Sequence, residues 1–177
     1  PTSTPTAAPT ASPTCGADWQ QMGDDIDGEA AFDTLGMRNS VDMSSDGHIL
    51  AVGSNENDGN GRNSGHVRAF EWTGYEWSQM GPDIEGSGAF DFAGSAVALS
   101  SSGHTMAVGA WGNDAAGSNA GHARMYTWDG LKWTQKGKAI TGDHAWDHSG
   151  SSVDITADGH TLAVGARYHS PTADKKM

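Results

Sequence analysis

Eight histidines and a run of carboxylates are the side chains here whose types could do chemistry. His144 and His148 straddle Trp146-Asp147, and His160 is near enough in sequence to approach them in a folded chain. Imidazole beside carboxylate is the donor set of a metal centre or an acid–base pair. This grouping occurs once, so it is where a non-repeated site is expected. The other histidines recur. His48, His104 and His160 each follow a turn glycine, and His66 and His122 each follow a glycine at a strand start. A catalytic residue is needed once, so recurrence argues for structural use, with imidazoles bonding turn carbonyls at strand ends. Asp24, Asp25, Asp27, Glu29 and Asp33 form an acidic segment, thinned to Asp83, Glu85 and Asp91 and then to Asp143 and Asp147. Hard cations take carboxylate oxygens. The metal candidates are therefore Asp25, Asp27, Asp33, His144 and His148, with calcium the cation the carboxylates would suit. The plainer reading is solvated loop charge, with some side chains capping turn amides. No other cofactor is implied.

Several chemistries are excluded by context. No Gly-x-Ser-x-Gly elbow leads into a helix. Gly59-Asn60-Gly61 follows a loop and precedes a strand, the wrong setting for a phosphate cradle. Asn57-Asp58-Gly59-Asn60-Gly61 resembles a calcium loop, but Arg68 stands at its twelfth position where the hand motif needs Glu. A single cysteine, Cys15, builds no internal disulfide framework. The formal charge is −12, from 10 basic and 22 acidic residues. Phosphate neutralisation needs the opposite sign, so nucleic acid is not an expected partner. No apolar stretch approaches the roughly 18 residues of a membrane helix.

These side chains are set in a tandem repeat. Trp19, Trp77 and Trp133 each open a W-x-Q-x-G sequence. Val52-Gly53, Val108-Gly109 and Val164-Gly165 stand 56 residues apart, as do the three Gly-His pairs at 47, 103 and 159. Asp33, Asp91 and Asp147 each follow an aromatic residue, with the first interval two residues longer because of an insertion near Met37-Arg38. Roughly half the positions of 43–81 are identical in 99–137.

Each copy reads as four short strands with no helix. The first covers Ser40–Ser44, Ala96–Ser100 or Ser152–Thr156, with Val41 and Met43, Val97 and Leu99, or Val153 and Ile155 on one face. A Gly turn leads into HILAVG, HTMAVG or HTLAVG, apolar or small on both faces, as in a strand covered on both sides. A long polar loop follows. The third strand is His66–Trp72 or His122–Trp128. The fourth is Tyr75–Met80 or Leu131–Lys136, running on through Ile84 or Ile140. Trp72, Trp77, Trp128, Trp133, Phe70 and Tyr126 recur and could stack on sugars, although packing between repeats is the more ordinary use.

Four antiparallel strands in a unit of this length is the pattern of a propeller blade. The segments LGMRNSVDMSSDGHILAVGS, AGSAVALSSSGHTMAVGAW and SGSSVDITADGHTLAVGAR resemble the FG-GAP repeats of integrin-α-like propellers. They are closer still to the W-x-Q-x-G versions in secreted bacterial and algal repeat proteins. The resemblance covers residues 18–167. It implies an all-β fold of four-stranded antiparallel propeller blades, about two and a half of which are covered. It also implies membership of a longer propeller or completion by partner chains, since closed propellers generally have four or more blades. The family's D-x-D-x-D-G calcium loop is replaced by Ser45-Asp46-Gly47 and its equivalents, too few ligands for a calcium cage.

The domain reading is a Pro/Thr/Ser/Ala-rich linker over 1–17 and propeller-type repeats over 18–177. The linker holds nothing to bury and has the composition of an O-glycosylated stalk. Thr2, Ser3, Thr4, Thr6, Thr10, Ser12 and Thr14 are its glycosylation candidates. There is no Asn-x-Ser/Thr acceptor. The chain begins at Pro1, which reads as processing or as a piece of a longer protein. The functional expectation is an extracellular or cell-surface protein for binding, adhesion or scaffolding. It is non-catalytic and takes a protein or glycan ligand or assembles through strand edges. The alternatives are a structural subunit of an extracellular assembly and a non-catalytic part of a carbohydrate-active enzyme.

Overall fold

A computed structural model describes residues 19–169. Among them all regular structure is β, as the alternating patterns require. The first sheet contains β1 (Val41–Met43), β2 (Ile49–Ser54), β3 (His66–Trp72) and β4 (Trp77–Gln79), with β5 (Ile84–Glu85) also pairing β3. The second contains β6 (Ala93–Leu99), β7 (Thr105–Ala110), β8 (His122–Trp128) and β9 (Trp133–Thr141) in sequence order. The hairpin β10 (Ser149–Ile155) and β11 (Leu162–Ala166) repeats the first half of that arrangement. The register repeats with it: Val41 opposes Val52, Val97 opposes Val108 and Val153 opposes Val164.

Two local differences follow from sequence. The fourth strand of the second sheet runs on past Ile140, as expected, but in the first sheet it is broken into β4 and β5. Pro82 lies in the break and has no N–H to give a ladder, whereas Lys138 holds the matching position in β9. The two-residue insertion near Met37-Arg38 enlarges a bulge. In the second and third copies the bulge lies between Ala93 and Ala96 and between Ser149 and Ser152. In the first, Leu35 bridges Ser54 and regular pairing resumes only at Val41.

The sheets stack face to face. Ile49, Ala51, Val67 and Ala69 of the first meet Val97, Leu99, Met106, Val108 and Tyr126 of the second. β7 is buried on both faces, as its composition suggested. Backbone contact sets the spacing. A Cβ on Gly53 would stand 2.1 Å from the Gly94 carbonyl oxygen, and one on Gly109 2.0 Å from that of Gly150. Only glycine allows this approach. Val41 and Met43 lie on the outer face of the first sheet and are about half exposed.

Candidate functional site

The polar loops at one end of the sheets are built around the repeated aspartates. Asp33, Asp91 and Asp147 are buried. The Oδ2 of Asp91 accepts the amides of Ser87 and Gly88, and that of Asp147 the amides of Asp143 and His144. Asp33 accepts the Ala30 amide. A side chain from the following loop completes each cap. Asn57 Nδ2 donates to Asp33 at 3.1 Å, Asn113 Nδ2 donates to Asp91 at 3.0 Å, and His169 Nδ1 lies 3.1 Å from Asp147 Oδ2.

Either side of each aspartate the backbone is left-handed without glycine. Phe32, Phe90 and Trp146 have φ of 75°, 63° and 70°, and Thr34, Phe92 and His148 have 55°, 53° and 53°. Bulky residues seldom hold this conformation, and it persists only where the surroundings enforce it. The enforcing contacts are present: the Phe90 and Trp146 amides donate to the carbonyls of Arg62 and Ser118, both at 2.7 Å. The result is an exposed aromatic on each loop, Phe32, Phe90 or Trp146.

The residues just inside this rim converge on a recess of about 430 Å³. Asn55, Trp111 and Arg167 occupy one repeated position, Glu56 and Tyr168 the next, and Phe92 and His148 a third. Arg38, carried on the enlarged first bulge, closes one side. Phe92 stacks on Trp111 with centroids 4.4 Å apart and planes 6° from parallel. His148 continues the row at 4.9 Å from both Trp111 and Tyr168. Burial first, then the Arg167 charge, holds the His148 imidazole below its ordinary pKa. The recess thus offers flat aromatic faces, two guanidinium groups and one carboxylate.

The aspartates expected as cation ligands are held apart. Asp25 accepts from Gln21 Nε2 at 2.8 Å, Asp27 gives its carbonyl to Arg68, and Asp33 caps its own turn. His144 and His148 are also separated: His144 faces Asp147, while His148 joins the aromatic row. His160 does not approach them. Its amide is fixed by Asp158 in the β10–β11 turn, at the far end of that hairpin. Two three-residue clusters with metal-ligand chemistry occur among the described residues, His144–Asp147–His169 and Glu29–His66–Asp83. His169 is not among the sequence candidates, because it lies 22 residues from Asp147 and outside the His144–His148 segment. The available signal was the repeat interval: His169 stands 56 residues after Asn113, as Asn113 does after Asn57.

The repeated histidines divide. His48, His104 and His160 are exposed at turns, where the amide of each is held by the side chain two residues before it and the ring of His48 also meets the Asp46 carbonyl at 3.0 Å. His66 and His122 are buried at strand starts. Burial, and then Arg124, lowers His122 to about 4. His66 is lowered by burial too, but Asp83 and Glu29 oppose the shift, with their carboxylates 3.5 and 3.9 Å from its Nδ1. Glu85 is raised by burial and by the same two carboxylates.

Four of the repeated tryptophans pack in cross-strand pairs, Trp72–Trp77 and Trp128–Trp133, 5.4 and 5.5 Å apart, while Trp19 is exposed. The conserved glutamine of W-x-Q-x-G donates to the carbonyl of that motif's glycine in all three copies. Cys15, the 1–17 linker and the glycosylation candidates Thr2, Ser3, Thr4, Thr6, Thr10, Ser12 and Thr14 lie outside the described residues. No family model matches the chain, and no curated protein is similar to it.

Proposed function

We propose that this is a non-catalytic binding module of the extracellular space or cell surface, built from propeller-type blades of the FG-GAP kind. The observation that carries this is the recess in which equivalent positions of three copies converge, at Asn55, Trp111 and Arg167. Repetition supplies a composite surface, which favours recognition over turnover. Flat faces on Phe92 and Trp111 suit a sugar ring or a peptide side chain, and Arg38, Arg167 and Glu56 suit its polar groups. The linker composition supports an extracellular setting with O-glycosylated Thr2, Ser3, Thr4, Thr6, Thr10, Ser12 and Thr14.

Labelled full-length chain on glycan and extracellular-protein arrays tests the reading. A retained ligand should lose at least about tenfold in affinity, ~1.4 kcal/mol, on Trp111→Ala or Phe92→Ala. Equal binding by both variants would remove the recess from the reading. Recovery of the native protein from cytosol with unmodified threonines would remove the extracellular setting. A second reading, a subunit that assembles through sheet faces, is favoured by the half-exposed Val41 and Met43 on the outer face of the first sheet. A monodisperse monomer in solution would count against it.

A further inference from the structure

The three aspartate caps play the same role and differ at two positions. In the first two copies the residue that reaches across from the next loop is an asparagine, Asn57 or Asn113. The residues matching His144 are Ala30 and Gly88, which have no polar side chain. The cap therefore needs neither imidazole: an amide side chain and a bare backbone N–H hold Asp33 and Asp91 well enough. In the third copy both positions have become histidine, and both face the same carboxylate oxygen.

The geometry around that oxygen fits an ion. His169 Nδ1 is 3.1 Å and His144 Nδ1 3.7 Å from Asp147 Oδ2, and the three ligand atoms all lie within 4.8 Å of one another. A tetrahedral ion with bonds of about 2.0–2.2 Å places neighbouring ligands roughly 3.3–3.5 Å apart, so the two measured separations bracket the requirement. The rings are 6.1 Å apart between centroids, with their planes 36° apart. Asp147 is 4% exposed in its side chain, while His144 and His169 are 48% and 38% exposed. The carboxylate is thus a fixed base, and the imidazole side is open to an entering ion and its waters.

We propose that His144, Asp147 and His169 form a zinc site, coordinating through both Nδ1 atoms and Oδ2, with water completing the shell. Two imidazoles and one carboxylate suit Zn²⁺ and its late first-row neighbours, and they disfavour Ca²⁺, which takes six to eight oxygens. The site lies beside the aromatic recess but does not depend on what binds there. Zinc would lock the loop of Asp143–His148 to the chain after β11, adding to the His169–Asp147 bond, the Tyr168 amide to the Asp147 carbonyl and the packing of His148 on Tyr168.

Two substitutions test this while copying residues the fold already uses. His144→Gly and His169→Asn install the cap of the second copy. Calorimetric titration of the full chain with ZnCl₂ should show one site per chain. Loss of a second-shell partner alone costs 10–100-fold, so loss of either ligand should weaken binding by more than about 100-fold. Co²⁺ should give the wild type a tetrahedral visible spectrum that neither variant shows, and Zn²⁺ should raise the melting temperature of the wild type only. Absence of zinc binding by the wild type would overturn the proposal. Undiminished binding in both variants would also overturn it, by placing the ion elsewhere, for instance at Glu29–His66–Asp83.

Discussion

The junction between the first and second sheets and the junction between the second sheet and the β10–β11 hairpin use the same devices to different depth. Both close on glycine, Gly53 against Gly94 and Gly109 against Gly150. Both carry a backbone bond between equivalent turns, Ser45 to Ser101 and Ser101 to Ala157, each at 3.0 Å. The first junction then buries a large cluster centred on Met106 and Tyr126. The second buries Ala98, Ala107 and Ile155, with Met125, Val153 and Leu162 only partly covered. The first also carries a side-chain bond that the second lacks: Asp42 Oδ2 accepts the Leu99 amide at 2.6 Å across the junction. Its counterpart in the second sheet is Ala98, and the Ile155 amide turns to its own Asp154 instead. A repeat thus fixes the distance between units, while the unrepeated side chains set how strongly each pair is held.

The largest expected effect comes from the core. Met106 is fully buried, and Met106→Ala should cost about 2–5 kcal/mol in denaturant unfolding. Leu162→Ala, at the equivalent place in the hairpin, should cost less than half as much. Equal losses would mean that the two junctions are equally packed.

Acid should separate the two buried histidines. His122 is neutral in the fold down to about 4, while in the unfolded chain it takes a proton near 6.5. The unfolded state therefore binds more protons between those values. The stability is complete above pH 6.5 and is lost as pH falls towards 4, by roughly 3 kcal/mol. His122→Asn should flatten the melting-temperature profile across that window. His66→Asn should flatten it less, because Asp83 and Glu29 offset part of the burial cost at His66. Profiles changed to the same degree would show that those carboxylates contribute nothing.

The smallest effect is at Asp42. Removing it leaves the Leu99 amide without its acceptor, so Asp42→Ala should cost about 1–2 kcal/mol. Asp154→Ala removes only a local bond to the next residue and should cost under about 0.5 kcal/mol. Thermal melts of the two variants measure the difference.

Much of this frame was legible in the residues. The third strands, His66–Trp72 and His122–Trp128, fall where the pattern put them, since a Gly-His start and a Trp before a glycine turn bound them on both sides. The burial of both faces of β7 followed from its small and apolar alternation. Less legible was the break at Pro82, which interrupts a strand pattern that otherwise continues through Ile84. The site was read in part. His144 stands out in the sequence, but Asp25 and Asp27 are neighbours in sequence only: Asp25 accepts from Gln21, and Asp27 gives its backbone carbonyl to the distant Arg68.

The sequence by itself determined the repeat, its strands and the turns between them, because these depend on alternation and on glycine at fixed offsets. Only the tertiary structure decided which loop residues meet. His169 reaches Asp147 from 22 positions away, and Arg38, Trp111 and Arg167 share one recess. Those meetings depend on how closely the sheets stack and on the left-handed backbone at Phe92, Trp146 and His148. Bulky residues adopt that conformation only when neighbouring loops impose it, so the residues themselves carried no mark of it.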